Sequence, residues 1–247
     1  VGGDDEVMAK IEAARTRHKP VDGHAPGVRG EDLKKYIGAG ISTDHECSSY
    51  EEALEKIRAG MMIQIREGSA AKDFDALYPL IDEFPDRVML CSDDRHPDDL
   101  IEGHINALIQ KGLRYKLNFF NLLRAATWNP VKHYGLEVGL LQEGDPADII
   151  LVDAPESFHI RSVYIDGQMV FNGKEVNFQP VTDKSPNIMN PGKFEQEDFQ
   201  VPASGDNVKV IRAHDHQLFT SADTATLKVK DGFLQTDTDQ DVLKMVV

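Results

Sequence analysis

The chain has 247 residues, 40% of them hydrophobic, enough for one large or two modest domains with a true core. Acidic residues outnumber basic ones 42 to 27, and no basic stripe is present, which argues against nucleic-acid binding. No run is long enough to span a membrane, and Cys47 and Cys91, with no CxxC pair, suit a reducing cytoplasm better than a disulfide framework.

Asp4 to Arg17 has helical spacing, with Val7, Met8, Ile11 and Ala14 on one face. Pro20 stops it, and Val21–His24 reads as a strand. Glu31–Ile37 is the next helix, ended by Gly38 and Gly40. The strand Ile41–His45 follows, then the helix Tyr50–Ala59. Ser48 and Ser49 both offer N-caps there, and Ser48 with Glu51 has capping-box spacing. Met61–Arg66 reads as a third strand, Phe74–Glu83 as a helix and Val88–Ser92 as a fourth strand. Four successive βα units predict parallel strands with right-handed crossovers, in a barrel or a doubly wound sheet. Helices are expected over Pro97–Lys111 and Asn118–Ala126, the second ending near Asn129-Pro130.

From Gly135 the pattern turns to short β-like runs, Ile149–Val152 and Ser162–Ile165, with Asp166-Gly167 as a hairpin turn before Met169–Phe171. Thr182–Gly205 is polar and Pro-rich, as in a linker, and Val208–Val247 is β-rich again. The expected organisation is a barrel portion over 1–134, a small β portion over 135–181, and a linker with the start of a β-rich domain over 182–247. The chain lacks an initiator Met and its last residues are apolar, so it reads as cut from a longer polypeptide.

Chemistry concentrates where strands end. In a (β/α)8 barrel the C-terminal strand ends converge on one mouth, and His24, His45 and Asp93 occupy equivalent positions there. Neutral imidazoles hold a divalent ion without cancelling its charge, and a carboxylate beside it moves protons. His24, His45 and Asp93 are therefore candidate metal ligands, and Asp93 is also a candidate catalytic group. Glu46 is a second catalytic candidate. On a strand it points to the face opposite His45, unless a turn begins there and lets it orient a histidine. Arg66, Glu67 and Ser69 end the third strand within reach of a substrate, with a structural salt link as the alternative. The cysteines read as small barrel-interior residues, and His214-Asp215-His216 as an exposed loop. Ser69 has no nucleophile-elbow arrangement, and no P-loop is present.

The runs Asp22-Gly23-His24-Ala25-Pro26-Gly27, Asp44-His45-Glu46, Arg66-Glu67-Gly68-Ser69-Ala70-Ala71 and Ser92-Asp93-Asp94-Arg95-His96-Pro97 resemble the bacterial adenine deaminases of the amidohydrolase superfamily. Ala126-Thr127-Trp128-Asn129-Pro130 and Ala147–Asp153 are similar to many amidohydrolases. The resemblance implies an α/β fold: the C-terminal half of a TIM-type (β/α)8 metal-dependent hydrolase barrel, then a small β domain and part of a further C-terminal β-rich domain. It implies hydrolytic deamination of adenine to hypoxanthine and ammonia in purine salvage, by a cytoplasmic homo-oligomer acting on a small-molecule purine. The implied cofactor is a divalent metal, binuclear, Mn or Fe with Zn as the alternative. His24 and His45 are its implied ligands from the fifth and sixth strands, with Asp93 the acid/base of the eighth. Arg66, Glu67 and Ser69 are implied to lie near the substrate. Superfamily members also carry a His-x-His pair on the first strand and a bridging carboxylate or modified lysine. Neither is in this chain, so it reads as an internal portion, inactive alone. The alternatives are another amidohydrolase, such as a cyclic amidase or deacetylase, and a non-catalytic paralogue or isolated domain.

Overall fold

In the computed structural model, which describes residues 3–179, 181, 188, 190 and 192–246, the first helix starts at a side-chain cap. The Asp4 carboxylate accepts the Val7 N–H at 3.0 Å and opens α1 (Asp5–Arg15). Of the expected apolar face only Ile11 is well buried; Val7 and Met8 are exposed. α2 (Gly30–Gly38) follows and stops at Ala39-Gly40.

Three strands, β1 (Thr43–Asp44), β2 (Met62–Arg66) and β3 (Val88–Cys91), form a parallel sheet in that order. α3 (Tyr50–Arg58) connects β1 to β2, and α4 (Phe74–Leu77) with α5 (Pro79–Glu83) connects β2 to β3. Side chains alternate across the sheet. Ile63, Ile65, Val88 and Leu90 face the helices and bury against Ile57, Phe74, Leu77, Leu80 and Ile81. Met62, Gln64 and Arg66 take the other face of β2.

The expected strand Val21–His24 is not a ladder strand. Ser42 donates its N–H to the Val21 carbonyl at 2.9 Å, but the Ala25 N–H goes to the Asp44 carboxylate, so pairing stops after one bond. The cap of α3 is Ser49, which accepts the Glu52 N–H at 3.4 Å, in place of Ser48. The helix expected over Phe74–Glu83 divides at Pro79, which has no N–H to continue the ladder. The one expected over Pro97–Lys111 divides into α6 (Pro97–Glu102) and α7 (Ile105–Arg114). Gly103 between them has φ of +153°, open to glycine and strained for other residues.

Asn129-Pro130 does not end a helix. A π turn over Arg124–Trp128 joins α8 (Phe119–Leu123) to α9 (Asn129–Tyr134), and the Asn129 N–H bonds to the Arg124 carbonyl five residues back. The buried Asn129 amide donates to the Pro85 and Val88 carbonyls, each at 2.7 Å, and ties this helix to β3.

β4 (Ile149–Val152), β5 (Ile160–Ile165) and β6 (Gln168–Phe171) form an antiparallel sheet. The Asp166-Gly167 turn has positive φ at both residues, as the hairpin reading requires. All these elements belong to one compact unit, Val1–Phe178; a second spans Gln179–Val247. The expected linker Thr182–Gly205 falls in part outside the described residues. The second unit holds β7 (Val201–Pro202), β8 (Asn207–Arg212), β9 (Ser221–Thr226), β10 (Val229–Lys230) and β11 (Phe233–Leu234). β8 and β9 form a hairpin, and β10-β11-β7 a small sheet. The exposed His214–His216 loop joins β8 to β9. Among the described residues no helix is long and apolar enough to cross a membrane.

Candidate metal centre

β1 ends at Asp44, and the chain bends at His45. Strand alternation therefore stops there, and Glu46 comes to the same side as His45. His24, His45 and Glu46 each offer a ligand atom, all within 4.8 Å of one another. The two imidazole rings meet edge to face with centroids 4.5 Å apart, and His24 Nδ1 lies 3.3 Å from Glu46 Oε1. Two imidazoles and a carboxylate suit a catalytic zinc, manganese or iron(II) ion, so the donor set fits the expected cation. Next to His24, a Cβ on Gly23 would stand 1.9 Å from the Tyr36 hydroxyl, which donates to the His24 carbonyl. Only glycine permits that approach.

Asp93 sits two residues past β3 with φ of +47°, a left-handed conformation that, after glycine, Asp and Asn adopt most readily. It accepts a 2.6 Å hydrogen bond from Arg66, whose guanidinium also lies 3.8 Å from Glu46. Arg66 is buried at the end of β2. Burial opposes its charge, but the Asp93 hydrogen bond and the charges of Asp73, Asp93 and Glu46 more than offset this. Burial likewise raises the Asp93 carboxyl, yet the Arg66 bond and charge, aided by His45, hold it below the ordinary range. Asp93, expected as a third ligand, is not among the residues whose ligand atoms meet in this cluster; it stands beside His24, His45 and Glu46, linked to them through Arg66.

The structure does not bring Glu67 or Ser69 into this cluster. Glu67 accepts from Lys111 of α7 at 2.7 Å and from the Phe74 N–H at 3.3 Å. Ser69 donates to Asp99 and accepts the His96 N–H at 2.8 Å, fastening its loop to the start of α6.

A second group of residues escaped the sequence reading. Asp44 points to the helix side of β1, where Lys56, Glu52 and Cys47 surround it. Lys56 and Asp44 are fully buried. Cys47 belongs to this cluster on the helix side, not to the barrel interior as expected; burial pushes its thiol up. The signal was available: Glu52 and Lys56 are one turn apart on α3, interleaved with the core residues Ala53 and Ile57.

Asp73 lies on the far side of Arg66, its Oδ2 3.6 Å from Arg66 Nε and outside hydrogen-bond range. Burial pushes its carboxyl up to about 6, against the attraction of Arg66. A folded-state value above the unfolded one means that stability is lost as pH rises from about 4 through about 6, by on the order of 3 kcal/mol. Asp73→Asn is expected to remove this decline. Urea unfolding midpoints measured between these pH values check it: a wild type and variant that run parallel contradict the assignment.

The sequence profile of the amidohydrolase family matches residues 3–170. The chain belongs to the amidohydrolase family. Among curated members it is 51% identical over its whole length to the adenine deaminase of Salinibacter ruber, and covers 45% of that protein. It is 52% identical over 98% of its length to the adenine deaminase of Methanosarcina mazei, covering 46% of it. The chain thus spans about half the length of the curated relatives it matches. Among solved amidohydrolase-fold structures, a β-aspartyl dipeptidase from Fervidobacterium islandicum AW-1 aligns with a TM-score of 0.55 and 26% identity, over 70% of this chain and 53% of the other. The family match and this neighbour place an α/β fold of the amidohydrolase kind in the first unit.

Proposed function

We propose that this chain supplies part of the active site of a metal-dependent aminohydrolase that converts adenine and water to hypoxanthine and ammonia. The observation that carries this reading is the convergence of His24, from the segment bonded beside β1, with His45 and Glu46 just past the end of β1, and with Asp93 held beside them by Arg66. Likeness to two proteins named adenine deaminase supports the substrate. His24 and His45 would hold a divalent cation, manganese, iron or zinc, with the Glu46 carboxylate as the third donor of the set. A bound divalent cation supplies hydroxide near neutral pH by lowering the pKa of water. Asp93 takes the proton of the attacking water and hands it to the exocyclic amine leaving C6 of the purine. Arg66 keeps Asp93 ionised and aimed.

The wider architecture is part of this reading. Residues 1–134 form the C-terminal half of a (β/α)8 barrel, 135–181 a small β-sandwich portion, and 182–247 a linker and the start of a β-rich domain. The assembly is a cytoplasmic homo-oligomer.

The test uses the polypeptide as its own gene encodes it, loaded with Mn(II), Fe(II) or Zn(II). Ammonia release and conversion of adenine to hypoxanthine are the expected results. Turnover of a cyclic amide or an N-acetyl amine with adenine untouched moves the reaction to an amidase or deacetylase. No turnover of any of them favours a non-catalytic role.

A further inference from the structure

The Lys56 ammonium has three protons to donate, and it finds three oxygen acceptors: the Ala25 carbonyl at 2.6 Å, Asp44 Oδ2 at 2.7 Å and Glu52 Oε1 at 2.6 Å. The Cys47 sulfur stands further off, at 3.6 Å. Each acceptor in turn grips backbone. Asp44 Oδ1 accepts the N–H of Ala25 at 3.0 Å and of Glu46 at 3.2 Å. Glu52 Oε1 accepts the N–H of Gly27 at 2.7 Å. The residue after His24 is therefore held at both its N–H and its carbonyl. His45 is bracketed by Asp44, a member of the network, and Glu46, whose N–H is bound to it. One turn further along α3, Glu55 accepts the Gly30 N–H at 2.8 Å and an Arg29 bond at 2.6 Å. A single helix face thus anchors both loops that carry the imidazoles.

We infer that Lys56 is a positioning residue for the metal centre, setting through Asp44 and Glu52 the spacing of His24 and His45; the inference rests on the reading of those histidines as ligands. Lys56 bonds to the residue after His24 and to the residue before His45, so it joins the two segments that carry the imidazoles. Hydrogen-bonded supports behind metal ligands act on affinity by fixing ligand orientation.

The experiment titrates the metal-free polypeptide, as its gene encodes it, with Mn(II) alone, and records the visible spectrum of the Co(II) form. Lys56→Met keeps the length of the stem and removes the charge; Glu52→Gln keeps the shape and weakens one support. Wild type binds Mn(II), and folded Lys56→Met is expected to bind roughly ten-fold or more weakly, with a shifted Co(II) spectrum. Glu52→Gln is expected to weaken binding in the same direction. A purely structural role lowers the unfolding temperature but leaves the folded protein with wild-type affinity and spectrum; that result overturns the inference. If Lys56→Met does not fold, unchanged affinity and spectrum in folded Glu52→Gln overturn it equally. A wild type that takes up no Mn(II), and is indistinguishable from His24→Ala, overturns the reading of the site, and the inference falls with it.

Discussion

On the proposed reading, Asp93→Asn is expected to lower the rate of adenine deamination by about 10²–10⁴-fold, the contribution typical of a general acid–base group. Asparagine keeps the volume and can still accept from Arg66, so the 2.6 Å bond between β2 and the Asp93 loop survives in weaker form. What is lost is the basic oxygen. The effect should fall on kcat, with KM little changed and the Mn(II) content of the protein close to wild type, because His24, His45 and Glu46 are untouched. Quantifying ammonia release at saturating adenine checks this. A variant retaining most of its rate transfers the proton-carrying role to another group, Glu46 first among those at the site.

The largest stability effect is expected at Phe74. It is fully buried at the start of α4, among Leu77, Leu80, Ile81 and the sheet residues Ile63 and Ile65. One face of its ring stacks towards Tyr115, with centroids 6.3 Å apart, and the Lys111 ammonium lies 5.2 Å from its centre. Phe74→Ala removes the transfer energy of the ring and leaves a cavity between sheet and helices, at a cost of about 3–5 kcal/mol. Domain stabilities are typically about 5–15 kcal/mol, so the variant would lose a large share of its margin. Chemical unfolding of wild type and variant measures the difference. A loss below about 1 kcal/mol would mean that Phe74 does not plug the core.

Much of this architecture was readable from residues alone, and the misses have local causes. The alternation of βα units predicted β1, β2 and β3 correctly, because strand-length apolar runs with helix caps between them leave little freedom. Val21–His24 looked equally strand-like. There the Asp44 side chain takes a backbone N–H that a ladder would need, and side-chain competition of that kind has no periodicity to reveal it. The two divided helices turned on Pro79 and Gly103, both visible in the sequence but overridden by the apolar spacing around them. At the site, His24, His45 and Asp93 were picked out as strand-end residues, although His24 lies on no ladder strand and Asp93 stands two residues past β3. The placement of Glu46 depended on where β1 stops, which a two-residue strand leaves open. Asp44, at the end of β1, and Lys56, on α3, were overlooked because charged residues are expected to face water, and only three-dimensional convergence makes a fully buried lysine tolerable.

The left-handed backbone at Asp93 carries a consequence of its own. Glycine would fit that backbone without strain, but it would leave the buried Arg66 guanidinium without its nearest partner. The modest cost of the left-handed backbone is set against the charge pair with Arg66, and the two together fix where the carboxylate points. Losing the carboxylate would therefore loosen the join between β2 and the loop after β3 as well as remove the group proposed to carry the proton.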